Sequence, residues 1–281
     1  MRVLRTPAEL SEWTETARRQ GRRVGLVPTM GFLHRGHTSL MEASRERADL
    51  TAVSIFVNPT QFGPNEDLAR YPRDLEGDLR TCREVKVDAV FTPEAGAMYP
   101  GGHRTFVEVT RLQDGLCGAR RPGHFRGVAT VVTQLFALAR PHVAVFGEKD
   151  WQQLQIVRRL AVDLHLGVEV VGMPIVREAD GLAMSSRNAY LSVPERMRAL
   201  ALSRGLQAAR ARWAAGERGA PALREAVRAE LRSAEVREDY VELVNPSTLE
   251  PLEQADRGDA RLLVAGFFGT TRLIDNAAIG G

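Results

Sequence analysis

The chain has 281 residues, 44% hydrophobic and 26% charged, which supplies a sizeable buried core and lacks the polar bias of a disordered protein. Its 38 basic and 35 acidic residues are interspersed and leave a net charge of +3, which argues against a nucleic-acid groove, and its two cysteines, Cys82 and Cys117, fit neither a disulfide framework nor a metal motif. No apolar run is long enough to span a bilayer and no signal-peptide core follows Met1, so the expectation is a cytoplasmic protein with free thiols and no membrane role.

The first nineteen residues read as a short strand and a capped amphipathic helix. From residue 24 to about 174, apolar β-branched runs alternate with helical stretches: strands are predicted at 24–27, 51–57, 88–92, 142–146 and 168–171, and helices beginning near His37, Leu75, Arg126 and Trp151. That alternation predicts a doubly wound, Rossmann-like α/β fold with a parallel sheet and crossover helices. Around Pro174 the texture changes. A polar loop over 178–188 leads to Ala/Arg/Glu-rich helical segments at 194–215 and 221–234, broken by 216–221, then to strand-like runs at 240–244 and 261–268. The expected division is therefore a first domain over 1–175 and a smaller C-terminal α+β domain over 176–281.

Chemistry concentrates where strands end. In VPTMGFLHRGHTSL, residues 27–40, an apolar strand runs into a Pro/Gly turn and a helix, where backbone N–H groups and the helix dipole favour phosphate. His34 and His37 can donate to phosphate oxygens there, and Gly36 permits close approach. An isolated His-x-x-His is ordinarily a turn with two surface histidines, and zinc would need a third ligand that the neighbouring sequence lacks. NPTQF, residues 58–62, follows the next strand and offers Asn58 and Gln61, although Asn-Pro alone marks only a turn. FGEKDWQQLQIV, residues 146–157, repeats the strand–glycine–helix arrangement with Glu148, Lys149 and Asp150. Lys149 is one of only two lysines, and the competing reading is a capped helix with a solvated lysine. READGLAMSSRNAYLS, residues 177–192, supplies Ser185, Ser186 and Arg187 on a loop that alone would pass for inert surface.

Together PTMGFLHRGH, SIFVNPTQF, RPGHFRGV, FGEKDWQQL and VREADGLAMSSRN resemble the pantothenate synthetase (pantoate–β-alanine ligase) family of the nucleotidyltransferase superfamily, with the likeness continuing to RLLVAGFFGTTRLIDN near the terminus. The resemblance implies that ATP contacts Pro28, Thr29, Met30, His34, His37, Gly147, Lys149, Asp150, Val176, Met184, Ser185, Ser186 and Arg187. It implies pantoate contacts at Gln61 and Gln153, places Asn58, Tyr71 and Arg121 near the acid or its gate, and matches Asp78 to an acidic position linked to Mg2+. It further implies a homodimer, with the C-terminal domain acting as a lid. Phe32, Arg35 and Trp151 are small departures from the family pattern.

The implied reaction activates pantoate as an acyl adenylate and passes the acyl group to β-alanine. A carboxylate needs no base to attack phosphorus, so His34, His37, Lys149, Ser186 and Arg187 would act by holding and neutralising phosphates. Two rivals stand beside this reading: a related adenylyl-transferring enzyme with another acid or alcohol, and a nucleotide- or RNA-binding module using the arginine-rich helices between 196 and 232.

Overall fold

Strands that are apolar on both faces need cover on both sides. In the computed structural model, which describes residues 1–256 and 260–280, the chain clusters into two units, and the first provides that cover. It comprises Met1–Glu148 and Gln152–Pro174. In chain order come β1 (Arg2–Leu4), α1 (Pro7–Arg19), β2 (Val24–Thr29), α2 (Arg35–Arg47), β3 (Leu50–Ile55), a 3-10 turn at Pro59–Gln61, α3 (Leu75–Glu84), β4 (Ala89–Phe91), the short α4 (Ala95–Met98) and α5 (Cys117–Arg120), α6 (His124–Ala139), β5 (Val143–Gly147), α7 (Trp151–Asp163) and β6 (Glu169–Met173). Thr6 and Glu9 cap α1 reciprocally, and Asp74 accepts the Gly77 N–H to start α3.

The six strands pair in parallel in the order β1-β4-β3-β2-β5-β6. Val27, Val53, Val90, Val143 and Val145 pack one face against Leu40 and Met41 of α2 and Cys82 of α3. On the other face, Phe146 of β5 meets Phe136 of α6 edge to face, with centroids 6.5 Å apart. The order expands from β2 through β3 and β4 on one side, then crosses to β5 on the other, so the direction of winding reverses between β2 and β5. That crevice, at the strands' carboxyl ends, is where an open α/β sheet binds ligands. Register sets Thr29 beside Ile55, which aligns the loops after β2 and β3 along that edge.

The second unit comprises Lys149–Trp151 and Ile175–Gly281. It holds a 3-10 turn at Ser186–Tyr190, α8 (Val193–Ala214), α9 (Ala220–Ser233) and an antiparallel sheet of β7 (Arg237–Val244), β8 (Ala260–Phe268) and β9 (Thr271–Ile279), in that order. Leu202, Leu206, Leu223 and Val227 from the two helices pack on Val241, Leu262, Val264 and Leu273 from the sheet. The sequence reading had two strands here, and β9 is an addition. Its Arg272, Asp275 and Asn276 hide it, because burying polar residues in a strand requires partners that no local pattern reveals.

The arginines of α8 and α9 are largely tied up in ion pairs, including Arg224–Glu242, Arg228–Glu238 and Arg232–Glu225. Both cysteines are buried and free of disulfides, and burial pushes the Cys82 thiol up to about 12. No helix among the described residues is long and apolar enough to cross a membrane.

Candidate active site

The turn after β2 is built by side chains that stay inside the first unit. Thr29 donates its hydroxyl to the Ser54 carbonyl at 2.7 Å and accepts the Gly31 N–H at 3.2 Å. The chain then passes through left-handed backbone at Gly31 (φ 80°) and Phe32 (φ 51°). A non-glycine residue there needs an external hold. Asp78 supplies it: one carboxylate oxygen accepts the Phe32 N–H at 2.9 Å and the other the Leu33 N–H at 2.7 Å, while only 3% of the residue is exposed. Burial raises the Asp78 pKa, opposed by those two backbone bonds. A side chain at Gly31 would sit 2.7 Å from an Asp78 oxygen, so the small residue and the carboxylate require each other.

The turn delivers the two histidines to the start of α2, where they cap each other. His34 Nδ1 accepts the Gly36 N–H at 3.1 Å, and His37 Nδ1 accepts the His34 N–H at 3.3 Å. Their rings lie 4.1 Å apart between centroids. A ring nitrogen that accepts carries no proton, so in both neutral imidazoles the proton is on Nε2. Both rings are thereby set as Nε2–H donors at a helix N-terminus, the polarity an anion requires. This cap also explains why α2 begins at Arg35, two residues before the predicted His37.

A second cluster surrounds the turn after β3. Asn58, 1% exposed, accepts at Oδ1 from the Tyr99 hydroxyl (2.7 Å), the Thr60 hydroxyl (2.9 Å) and the Thr60 N–H (3.3 Å). Its Nδ2 donates to Gln61 Oε1 at 3.0 Å and to the Gly127 carbonyl at 3.1 Å. Every polar atom of Asn58 is thus used internally. Its Nδ2 holds Gln61 Oε1, and Gln61 Nε2 lies 3.1 Å from Met30 Sδ. Gly127 is required because a Cβ there would meet the Thr60 carbonyl at 2.4 Å.

Arg121, expected near the acid, is held in a bidentate pair by Glu66 at 2.8 and 2.5 Å and reaches His124 Nε2 at 3.0 Å. His124 Nε2 accepts there, so Nδ1 carries the proton it gives to the Gln61 carbonyl, 2.9 Å away. Burial raises the Glu66 pKa, and the bond and charge of Arg121 outweigh it, leaving the carboxyl below its usual range. The segment from 62 to 72 is thereby fastened to the start of α6. Tyr71, also expected here, is buried edge to face against Phe62 at 5.8 Å. Of the two neighbouring glutamines in α7, Gln152 is buried and fully used, accepting the Cys117 N–H and donating to the Leu112 and Gly115 carbonyls. Gln153 is only half buried.

Lys149 and Asp150 belong to the second unit, with the lysine ammonium 3.8 Å from the Asp150 carboxylate. The Lys149 carbonyl accepts from Asn276 Nδ2 at 2.9 Å, and Asn276 Oδ1 accepts from Arg261 at 2.6 Å. The Arg261 guanidinium lies 3.3 Å from the Trp151 ring centroid, and the Trp151 indole donates to the Pro246 carbonyl at 2.8 Å. The loop carrying Ser185, Ser186 and Arg187 is pinned as firmly. Arg177 pairs with buried Asp275 at 2.6 and 2.9 Å, Arg196 bridges Glu178 and Asp180 at 2.7 Å each, and Asn188 donates to Glu178 at 3.0 Å. Ser185 accepts the Arg187 N–H, Val176 accepts the Met184 N–H, and Ser186 is buried. The loop is therefore part of its unit's framework.

Of the expected residues, Pro28, Thr29, Met30, His34, His37, Gly147, Asn58, Gln61, Tyr71, Asp78, Arg121 and Gln153 lie in the first unit, and Lys149, Asp150, Val176, Met184, Ser185, Ser186 and Arg187 in the second. Both oxygens of Asp78, the residue matched to a magnesium-linked position, accept backbone N–H groups. No group of three or more His, Cys, Asp or Glu suited to a metal occurs among the described residues. The reading missed Tyr99, Glu66, Arg261 and Asn276, whose roles exist only through distant partners.

A family model for pantoate-beta-alanine ligase matches residues 2–278. The pantothenate synthetase of Myxococcus xanthus is 63% identical over 281 residues, covering 99% of this chain and 96% of that protein. That of Anaeromyxobacter dehalogenans is 58% identical over 284 residues, covering 99% and 98%. Among solved structures, a pantothenate synthetase from Thermus thermophilus superposes with a TM-score of 0.94 at 48% identity, covering 100% of both chains. A pantoate-beta-alanine ligase from Francisella tularensis, complexed with beta-gamma ATP and beta-alanine, gives 0.80 at 29% identity, covering 99% of this chain and 97% of that one.

Proposed function

Because the chain belongs to the pantoate-beta-alanine ligase family, we propose how its own residues perform that family's reaction. The enzyme uses ATP to condense pantoate with β-alanine, giving pantothenate, AMP and pyrophosphate through a pantoyl adenylate. In the first step a pantoate carboxylate oxygen bonds to the α-phosphorus as the bond to pyrophosphate breaks. The carboxylate is already ionised near neutral pH, so the protein's work is alignment and charge neutralisation. In the second step the β-alanine amine attacks the acyl carbon and AMP leaves with the electron pair.

His34 and His37 donate from Nε2 to phosphate oxygens, and Lys149, Ser186 and Arg187 supply the remaining positive charge and donors. Pro28, Thr29, Met30, Gly147, Asp150, Val176, Met184 and Ser185 complete the ATP-binding set, while Gln61 and Gln153 hold pantoate. Asn58, Tyr71 and Arg121 act behind them, shaping the acid's surroundings. The observation that carries this assignment is the reciprocal histidine cap, which commits two adjacent rings to donation at the carboxyl edge of the sheet.

Magnesium enters as part of the substrate, MgATP. A small hard cation that keeps several waters and phosphate oxygens needs few protein ligands. We also propose that the enzyme works in the cytoplasm as a homodimer; the reduced, buried cysteines support the compartment, and light scattering of the purified protein tests the dimer. The activity is tested by AMP release, which should require ATP, magnesium, pantoate and β-alanine together. ATP–pyrophosphate exchange should need pantoate alone among the acceptors, and exchange indifferent to pantoate would overturn the assignment.

A further inference from the structure

We infer that Tyr99, at the end of α4, is a positioning residue for the acid: through Asn58 it decides which end of the Gln61 amide is offered to pantoate. The inference rests on Gln61 being a pantoate contact. A carboxamide is ambiguous in shape and definite in polarity, since its oxygen only accepts and its nitrogen only donates. A carboxylate only accepts, so a glutamine serves it solely through Nε2.

Nothing within Gln61 selects that orientation, and the surrounding bonds do. The Tyr99 hydroxyl makes the shortest of three donor contacts to Asn58 Oδ1, at 2.7 Å. Thr60 supplies the other two, and its hydroxyl lies 3.2 Å from that of Tyr99. With its oxygen committed to donors, Asn58 must turn Nδ2 toward the Gly127 carbonyl and Gln61 Oε1. Gln61 Oε1 is thereby consumed as an acceptor, and Nε2 is the end left for a ligand, with only the weakly accepting Met30 sulfur at 3.1 Å.

Packing keeps the tyrosine in place independently of this bond. Its ring stands edge to face with His103 at 5.1 Å and tilted against Phe56 at 6.4 Å. The buried setting also raises the Tyr99 pKa, which keeps the hydroxyl a donor at any working pH. In a low-dielectric pocket a flipped Gln61 would present an oxygen lone pair where Nε2 now donates, so a one-bond bias at Tyr99 reaches a pantoate oxygen accepting there as a change from attraction to repulsion.

The test is Tyr99→Phe, which removes one oxygen and keeps the ring. Pantoate KM should rise roughly twofold to thirteenfold, the range of one hydrogen bond, with ATP KM and the thermal midpoint close to the parent's. Thr60→Ala, which removes a second donor from the same oxygen, should move the same constant and provides the measurement if Tyr99→Phe does not fold. Gln61→Ala and the double variant Tyr99→Phe/Gln61→Ala complete the cycle, and once Gln61 is gone the tyrosine substitution should have no further effect. If Gln61→Ala leaves pantoate KM unchanged, the pantoate contact itself is wrong and the inference falls with it. If Gln61→Ala raises KM while Tyr99→Phe and Thr60→Ala do not, or if the Tyr99 effect persists undiminished without Gln61, the contact stands and the positioning role is overturned.

Discussion

Asp78 offers the sharpest test of how the histidine turn is built. Asp78→Asn keeps the side chain's volume and removes its charge. One oxygen still accepts from Phe32 or Leu33, while the new NH2 group faces the other backbone N–H, donor against donor. Hydrogen bonds to a charged acceptor contribute about 1.5–3 kcal/mol each, and one of the two would be lost outright while the other weakens to a neutral bond. Relief of carboxylate burial, visible in the raised Asp78 pKa, returns part of the loss, so a net destabilisation of about 2–4 kcal/mol is expected. Urea unfolding at pH 7 measures it. Because the released turn leads directly into His34, the ATP KM should rise as well, and added magnesium should restore neither quantity. A variant within about 1 kcal/mol of the parent with normal ATP KM, or one rescued by excess magnesium as a lost metal ligand would be, would refute the positioning role.

Lys149→Ala should lower pantoate-dependent ATP–pyrophosphate exchange by more than ~100-fold with little change in unfolding midpoint, as loss of a phosphate-neutralising charge requires; near-native exchange would remove the lysine from the mechanism. Gly127→Ala forces a methyl against the Thr60 carbonyl, and a stability loss of about 1–3 kcal/mol with weakened pantoate binding should follow, read by urea titration and pantoate KM. The hydrogen bond from Arg196 holds the Glu178 carboxyl below its ordinary 4.5, so the contribution of this pair is complete above that value and fades as pH falls through the lower folded-state value. The urea midpoint of Glu178→Gln should therefore trail the parent's at pH 7 and converge with it in acid, and a gap constant across that range would contradict the assignment.

The parallel sheet was legible because buried parallel strands are continuous apolar runs, as at β2, β3 and β5, and boundary shifts such as β3 stopping at Ile55 came from turn chemistry after the strand. The histidine pair drew notice through its place at a strand end, but not its reciprocal cap, which depends on backbone geometry. Asn58 and Asp78 were found, but not the bonds that hold the turns around them. Sequence shows that a polar residue stands near a site, whereas its partners, Gly127 for Asn58 and Phe32 for Asp78, are 69 and 46 positions away. Tyr99 was missed for the same reason: in EAGAMYP it looks like a loop aromatic, and its meaning lies wholly in the oxygen it touches.

The grouping of Lys149–Trp151 with Ile175–Gly281 rather than with its flanking strand and helix makes the backbone at the lysine depend on a distant stretch of chain. Until β9 is in place, the Lys149 carbonyl has no Asn276 to grip it and Arg261 has no asparagine to brace. A chain clipped before residue 276 would retain every residue of the parallel sheet yet lose the grip on the Lys149 carbonyl, so the backbone at this lysine depends on a strand 127 positions away.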